Sequence, residues 1–155
     1  PVLSGVPRKQ RYPLLRKLET RVVQAGEKLV EQGQQMDALY LIASGLVSVS
    51  ILDDEGELLQ VATLSHGNVV GEISMLLRQP STADVVAVHP TVLLEMSRER
   101  LHKLIRYFPA MLVTLYEMAT RRHEETRELS SSESLAPEDE ELEVEDCELE
   151  AVTLV

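Results

Sequence analysis

The amino-acid sequence predicts a mainly β domain with α-helices at its ends. Between residues 20 and 96, short apolar segments rich in β-branched residues alternate with Gly- and Asp-containing turns. Their spacing of roughly 8–12 residues is typical of a sandwich or barrel rather than a parallel sheet. Val47, Val49 and Ile51 alternate with serines, which gives a strand with one apolar and one polar face. From residue 97 onward the apolar residues recur at helical spacing instead.

The first two segments of the chain differ in kind. Residues 1–19 form a helical segment that contains Pro13, and because proline removes a helical hydrogen bond we expect two short pieces or a kink near Tyr12. Residues 20–96 form the β-barrel. Within them the stretch from Gly71 to Leu77 has no alternation, and it predicts a short helix over Ile73–Leu77 inserted between two strands.

Residues 97–129 predict two helices of the same domain. Ser97 is a good N-cap for the first helix, and Pro109 ends that helix and opens the next. Arg121, Arg122 and His123 follow the apolar stripe of the second helix. Cations in this position suit a helix C-terminus, where we expect them to lie.

Charge divides the chain into two parts. The sequence has 15 Lys+Arg and 26 Asp+Glu, a net charge of -11, but ten of the acids and none of the bases lie from Glu133 onward. Residues 1–132 therefore carry only -1, and residues 130–155 predict an acidic disordered tail. Neither part has the basic patch on which nucleic-acid binding depends, so we expect no nucleic-acid partner.

Several classes of protein are disfavoured by composition. At 155 residues the chain is one domain, with no apolar stretch long enough to span a membrane. A single cysteine, Cys147, excludes an internal disulfide, so we expect a cytoplasmic protein. The histidines His66, His89, His102 and His123 lack metal-site spacing, and no G-x-S-x-G motif occurs. We therefore predict no catalytic residue, no metal and no enzymatic activity.

The β segment resembles a known family. Its pattern is Gly26-Glu27-x-Leu29-Val30-x-Gln32-Gly33-x-x-x-Asp37-x-Leu39-Tyr40-x-Ile42-x-x-Gly45-x-Val47-x-Val49. This resembles the opening half of a cyclic nucleotide-binding domain, as found in catabolite-activator-like proteins and protein kinase A regulatory subunits. The stretch Gly71-Glu72-Ile73-Ser74-Met75-Leu76 looks like the phosphate-binding cassette of that family. The resemblance covers about residues 3–128 and implies an eight-stranded jelly-roll-like barrel (a double-stranded β-helix) with an inserted cassette helix.

The resemblance also implies a ligand site at the cassette. Gly71 would let the backbone approach a cyclic phosphate, and the backbone N–H groups of Glu72, Ile73 and Ser74 would point at it. The carboxylate of Glu72 would accept a hydrogen bond from the ribose 2′-hydroxyl, a role that an acceptor-only group fits. The alternative interpretation of Glu72 is an acid that stabilises the first turn of its own helix.

One departure from the family pattern puts ligand binding in doubt. The family cassette ends Pro-Arg-Ala-Ala, whereas this chain has Pro80-Ser81-Thr82-Ala83, so Ser81 replaces the arginine that grips the phosphate. Ser81 and Thr82 keep only neutral hydroxyls, and losing a charge-assisted contact costs on the order of 2–5 kcal/mol. Asp84, expected near the base, would further disfavour an anion. Arg78 either replaces the missing cation or is a solvated loop residue.

These features leave three functional hypotheses. The first is a cyclic nucleotide-binding-like regulatory or scaffolding domain with a degenerate cassette and weak or lost affinity for cyclic AMP and cyclic GMP. The second is a functional cyclic AMP or cyclic GMP sensor that uses Arg78 as a non-standard phosphate contact. The third is part of a transcription factor. The resemblance further implies a protein partner or fused effector, and a homodimer through the 110–123 helix.

Overall fold

Two antiparallel sheets of four strands form the body of the protein. The structure, a computed structural model, describes residues 3–132. The strands in chain order are β1 (Glu19–Val23), β2 (Lys28–Val30), β3 (Ala38–Ser44), β4 (Val47–Leu52), β5 (Leu58–Leu64), β6 (Val69–Val70), β7 (Asp84–Ala87) and β8 (Thr91–Ser97). One sheet has the order β1-β8-β3-β6 and the other β2-β7-β4-β5. The predicted mainly β, jelly-roll-like fold is confirmed.

The core between the sheets follows from the alternation of apolar and polar residues. In β4, Val47 and Ile51 are fully buried, while Ser48 and Ser50 are only half-buried. Val49 lies on the same face of β4 as Val47 and Ile51 but is only half-buried. It packs against the core between the sheets but also lines a cavity, which leaves part of it exposed. The strand periodicity therefore predicts which face of β4 is apolar, but not that Val49 on this face borders a cavity.

Three α-helices and one short helical turn complete the described chain. They are α1 (Arg8–Leu15), the cassette helix (Ile73–Leu77), α2 (Arg98–Tyr107) and α3 (Pro109–Ser132). The cassette helix lies between β6 and β7, where the sequence predicts an inserted helix. Ser97 caps α2, with its side-chain oxygen accepting from the backbone N–H of Arg100 at 3.3 Å. The α-helices contribute to a second apolar cluster that includes Leu39, Val69 and Met75 from the barrel side.

Two expectations about the helices need correction. α1 is one helix that contains Pro13, so the two-piece alternative is wrong, while a kink near Tyr12 stays a prediction. Pro13 lies only two residues before the helix end and is exposed, so the one carbonyl that loses its partner can be hydrated. α3 does not end near His123 but continues to Ser132, so Arg121 and Arg122 lie in its middle.

The end of α3 also bears on the predicted tail. Residues 130–132, which the sequence assigns to a disordered tail, belong to α3. The remainder of that tail, residues 133–155, lies outside the described residues. Within residues 3–132, no helix combines the length and the apolar character that crossing a membrane requires.

Candidate functional site

A cavity of about 450 Å³ is lined by strands of both sheets, the cassette and α3. Its volume is within the range of small-molecule pockets. Six of the eight residues predicted for the site line this cavity: Gly71, Glu72, Ile73, Ser74, Ser81 and Thr82. Apolar residues of β4, β5, β6 and β7 form the walls, and α3 closes one side. The fold therefore brings the two ends of the cassette together around one space.

Gly71 fixes the path of the chain into the cassette helix. Its φ is +96°, and a Cβ at this position would lie 2.6 Å from the carbonyl oxygen of Ala38. Only glycine combines this backbone conformation with so close an approach. The carbonyl of Gly71 then accepts from the backbone N–H of Met75 at 3.0 Å, which begins the single turn of the cassette helix.

Ser74 joins the cassette helix to the loop that follows it by a side-chain hydrogen bond. Its side chain is buried, and its hydroxyl donates to the carbonyl of Gln79 at 2.8 Å. The turn itself is π-helical, a geometry that occurs frequently at functional sites. The Ser74 hydroxyl is thus committed to holding the cassette shape.

Glu72 is bound by a residue of α3. The Glu72 residue is 3% exposed, and its Oε1 accepts from Nη1 of Arg122 at 2.5 Å. The same Nη1 donates to the carbonyl of Val69 at 2.7 Å. A buried carboxylate needs such a partner, because an unpaired charge in this environment is strongly destabilising. Arg122 therefore ties α3 to both β6 and the cassette.

Ser81 makes backbone hydrogen bonds to the loop between β2 and β3 and a side-chain hydrogen bond within its own loop. Its backbone N–H donates to the carbonyl of Gln34 at 2.8 Å, and its carbonyl accepts from Gly33 at 2.7 Å. Its hydroxyl donates to the carbonyl of Ala83 at 2.8 Å. The backbone at this position is therefore held firmly, while the side chain offers the cavity a small polar group without charge.

Arg78 does not lie among the residues that line the cavity. It is exposed, and it follows the cassette helix with a φ of +54°. Its carbonyl accepts from the side-chain amide of Gln35 at 3.3 Å. This position matches the solvated loop arginine that the sequence leaves as one alternative.

Asp84 also lies outside the cavity lining, on the other side of β7 from Val85. Its carboxylate accepts from the Lys28 ammonium at 3.1 Å and from the backbone N–H of Gln32 at 2.6 Å. Burial raises the pKa of Asp84, but these two donors outweigh it and hold the pKa below its ordinary value. Asp84 therefore anchors β2 to β7, and the expectation that it lies beside a bound base has no support in this geometry.

The α3 side of the cavity carries residues that sequence reasoning did not select. Arg122, Glu125, Thr126 and Leu129 line it together with Arg121. The first four follow the i, i+3, i+4, i+7 spacing of one helix face, and this spacing is the signal that could have identified them. Arg121 and Glu125 form an exposed pair with a separation of 3.9 Å.

Charge in the cavity lining is balanced. Its two arginines, Arg121 and Arg122, are each paired with one of its two glutamates. The described residues contain no group of three or more His, Cys, Asp or Glu side chains placed to hold a metal ion.

Comparison with known proteins identifies the family of this fold and cavity. The family model for the cyclic nucleotide-binding domain matches residues 20–108. The cyclic AMP receptor protein of Thermus thermophilus is 32% identical over 122 residues, which are 79% of this chain and 56% of that protein. The cGMP-dependent protein kinase of Eimeria tenella is 30% identical over 96 residues, 62% of this chain and 9% of the kinase.

Solved structures agree with the sequence comparison. The catabolite activator protein of Thermus thermophilus superposes with a TM-score of 0.72 at 31% identity, covering 81% of this chain and 59% of that one. The regulatory subunit of a cAMP-independent protein kinase A from Trypanosoma brucei superposes with a TM-score of 0.65 at 25% identity, covering 78% of this chain and 43% of that one. This chain spans less than two thirds of the length of each of these relatives. The chain belongs to the cyclic nucleotide-binding domain family.

Proposed function

We propose that this chain is a regulatory or scaffolding domain, without enzymatic activity, whose affinity for cyclic AMP and cyclic GMP is weak or lost. The observation that carries the proposal is the side chain at position 81 of the cavity lining, where Ser81 supplies only a hydroxyl. Arg122, the more buried arginine of the lining, is already bound to Glu72 at 2.5 Å.

We expect weak binding because the phosphate of a cyclic nucleotide would lose its hydration in this cavity without gaining a cation at position 81. A cyclic phosphate must leave water, and only a fixed cation or several donors can replace its hydration. Without a guanidinium at position 81, the loss of about 2–5 kcal/mol expected for such a contact corresponds to roughly 30-fold to several-thousand-fold in affinity.

The alternative hypothesis, a cyclic nucleotide sensor that uses Arg78, has less support. Arg78 is exposed and outside the cavity lining, so the loop that carries it would have to rearrange before its side chain reached a phosphate. Arg122 is better placed, but it would first have to leave Glu72. Either route adds a cost that a preformed arginine at position 81 would avoid.

The proposed partners of this domain are proteins. We propose a protein partner or a fused effector, and a second copy of this chain docked along residues 110–123 of α3. Leu112, Val113 and Tyr116 on this helix are 39%, 58% and 53% exposed, and apolar side chains of this size favour burial. A cytoplasmic location stays a prediction.

Isothermal titration calorimetry of the chain with cyclic AMP, cyclic GMP and a cyclic dinucleotide tests the proposal. We expect dissociation constants weaker than about 100 µM for all three ligands. Binding of any of them at micromolar concentration or tighter would contradict weak or lost affinity and would favour the sensor hypothesis.

A further inference from the structure

We infer that a groove between α2 and the C-terminal end of α1 binds an acidic segment of the same chain, residues 138–150. The groove has a volume of about 580 Å³ and shares no lining residue with the cassette cavity. The inference therefore goes beyond the proposed function and does not depend on it. Three features support it: the apolar lining of the groove, the cations beside that lining, and the length of chain that follows α3.

Most of the groove is lined by apolar side chains. They are Leu14, Leu18, Met96, Leu104, Tyr107 and Phe108. Tyr107 is 80% exposed, although its ring has a large apolar surface that burial would stabilise. Tyrosine is enriched in interfaces because it combines such a surface with a polar end. The groove therefore offers contact surface to the apolar side chains of a partner segment.

Three cations accompany this apolar lining. Lys17, Arg100 and Lys103 are exposed, and the lining residues that the structure describes include no acid. Lys103 pairs with Glu99 at 3.3 Å, but this pair is exposed and contributes little. Neither Lys17 nor Arg100 forms an ion pair within residues 3–132. The groove is thus suited to a segment that carries carboxylates next to apolar side chains.

Arg100 fixes one side of the groove. Its Nη1 donates to the carbonyl of Lys17, which joins α2 to the residues that follow α1. A guanidinium has several N–H donors, and the remaining ones can bind a carboxylate. Because this bond already holds the two sides together, the groove needs little rearrangement to bind a segment, and this lowers the cost of binding.

The composition of residues 138–150 is complementary to the groove. They include all but one of the ten acids that follow Ser132, and no base. Leu142 and Val144 lie between glutamates in the stretch from Glu141 to Glu145. Attraction between opposite charges would bring this segment to the groove, and burial of the two apolar side chains would stabilise the contact.

The chain is long enough to make this contact. α3 has 24 residues and is therefore about 36 Å long. It begins at Pro109, directly after Phe108 of the groove lining. An extended chain rises about 3.3 Å per residue, so the residues from Ser132 to Val144 can span about 40 Å. The middle of the acidic segment can therefore return along α3 to the groove.

A spin label on Cys147 tests the contact in the whole chain. Cys147 is the one cysteine of the sequence and lies in the acidic segment, so a nitroxide can be attached without any substitution. At about 50 mM NaCl we expect the label to reduce the NMR amide signals of Leu18, Leu104 and Tyr107, compared with the chemically reduced label. The reduction should become smaller at about 500 mM NaCl, because salt screens the attraction between exposed charges.

Charge reversal beside the groove provides a matched comparison. Lys17→Glu combined with Lys103→Glu should abolish the signal reduction, because two cations of the lining become acids that repel the segment. Arg16→Glu combined with Arg106→Glu is the control and should retain it. Arg16 and Arg106 are exposed and lie outside the groove lining, and their replacement changes the net charge by the same amount. The salt comparison on the natural chain stands even if a variant fails to fold.

Three results would overturn the inference. The first is an equal signal reduction over α1, α2 and the turn between β4 and β5, since the segment would then have no preferred site. The second is an equal effect of the two double substitutions. The third comes from mixing spin-labelled chain with isotope-labelled Cys147→Ser chain: a reduction in the latter would show that the segment binds a second copy instead. None of these results bears on cyclic nucleotide affinity, which the calorimetric titration measures separately.

Discussion

The guanidinium of Arg122 and the carboxylate of Glu72 meet at 2.5 Å, although the two residues are 50 positions apart in the sequence. One belongs to α3 and the other precedes the cassette helix. Both line the same cavity. The position of α3 beside the cavity and the conformation of the cassette are therefore linked through one ion pair. A substitution at Arg122 is expected to change the conformation of the cassette, and a substitution at Glu72 is expected to change the position of α3.

Removing Arg122 tests this link. Arg122→Met leaves the buried Glu72 carboxylate without its partner. We expect the free energy of unfolding to fall by about 3 kcal/mol, near the lower end of the cost of breaking a buried ion pair. The lower end applies because the Arg122 side chain is 21% exposed. Urea denaturation measures the loss, and hydrogen exchange should show faster exchange in α3.

Arg121→Met is the matched control for that experiment. Arg121 is the neighbouring arginine of the same helix, but its pair with Glu125 is exposed and 3.9 Å apart. An exposed pair of this kind contributes at most about 1 kcal/mol. Equal destabilisation by the two substitutions would show that the bond to Glu72 has no special role.

Gly71→Ala should destabilise the protein through the cassette. The new Cβ would lie 2.6 Å from the Ala38 carbonyl at a φ of +96°. Gly56→Ala is the comparison, since Gly56 has a similar φ of +84° but open space around a Cβ. We expect a loss of about 1–2 kcal/mol for Gly56→Ala from conformation alone. For Gly71→Ala we expect at least about 1 kcal/mol more from overlap, measured by chemical denaturation.

Asp84 should make stability depend on pH at the acid end. Its pKa in the folded protein is lowered, because the donors Gln32 and Lys28 outweigh burial, whereas the unfolded value is about 3.9. The stability it contributes is fully present above the unfolded pKa and is lost as the pH falls through the folded pKa. The stability difference between the natural chain and Asp84→Asn should thus be constant from about pH 7 to about pH 5 and shrink below about pH 4. A difference that persists unchanged to lower pH would contradict this assignment.

Dimerisation through α3 makes a separate prediction. Val113→Glu and Tyr116→Glu place charge on side chains that are 58% and 53% exposed in one chain, and so should cost little in the monomer. Buried between two copies, the same charges would be strongly unfavourable. We expect sedimentation velocity to show a dimer for the natural chain and a monomer for the double variant. A natural chain that stays monomeric would rule this interface out.

Much of the fold could be predicted because it is encoded locally. The alternation around Val47 and Ile51, the capping serine Ser97 and the helix-opening Pro109 each act within a few residues, and each appears in the structure as the pattern predicts. α1 differs because an exposed proline near a helix end costs less than an internal one. Local rules thus predicted the elements, but they placed the end of α3 too early, since the helix continues to Ser132.

The candidate site was harder to predict because it is assembled from distant segments. The cassette could be found from its motif, but the partner of Glu72 is Arg122, which local reasoning places at a helix C-terminus. Arg122 lies instead in the middle of α3, and the packing of α3 against the cassette helix places it beside Glu72. The orientation of Asp84 likewise depends on pairing between β2 and β7 rather than on its place in the motif.

Cyclic AMP binding by the natural chain and by Ser81→Arg, measured side by side by titration calorimetry, tests whether the missing arginine at position 81 is what makes cyclic nucleotide affinity weak. The backbone at position 81 is held by Gly33 and Gln34, so an arginine there would extend from a fixed point on the cavity lining. Because Asp84 lies outside that lining, adding Asp84→Thr should change affinity little. We predict weak or no binding by the natural chain and a gain of at least about 30-fold with Ser81→Arg. Micromolar binding by the natural chain, or no gain in a folded Ser81→Arg variant, would contradict this role of position 81.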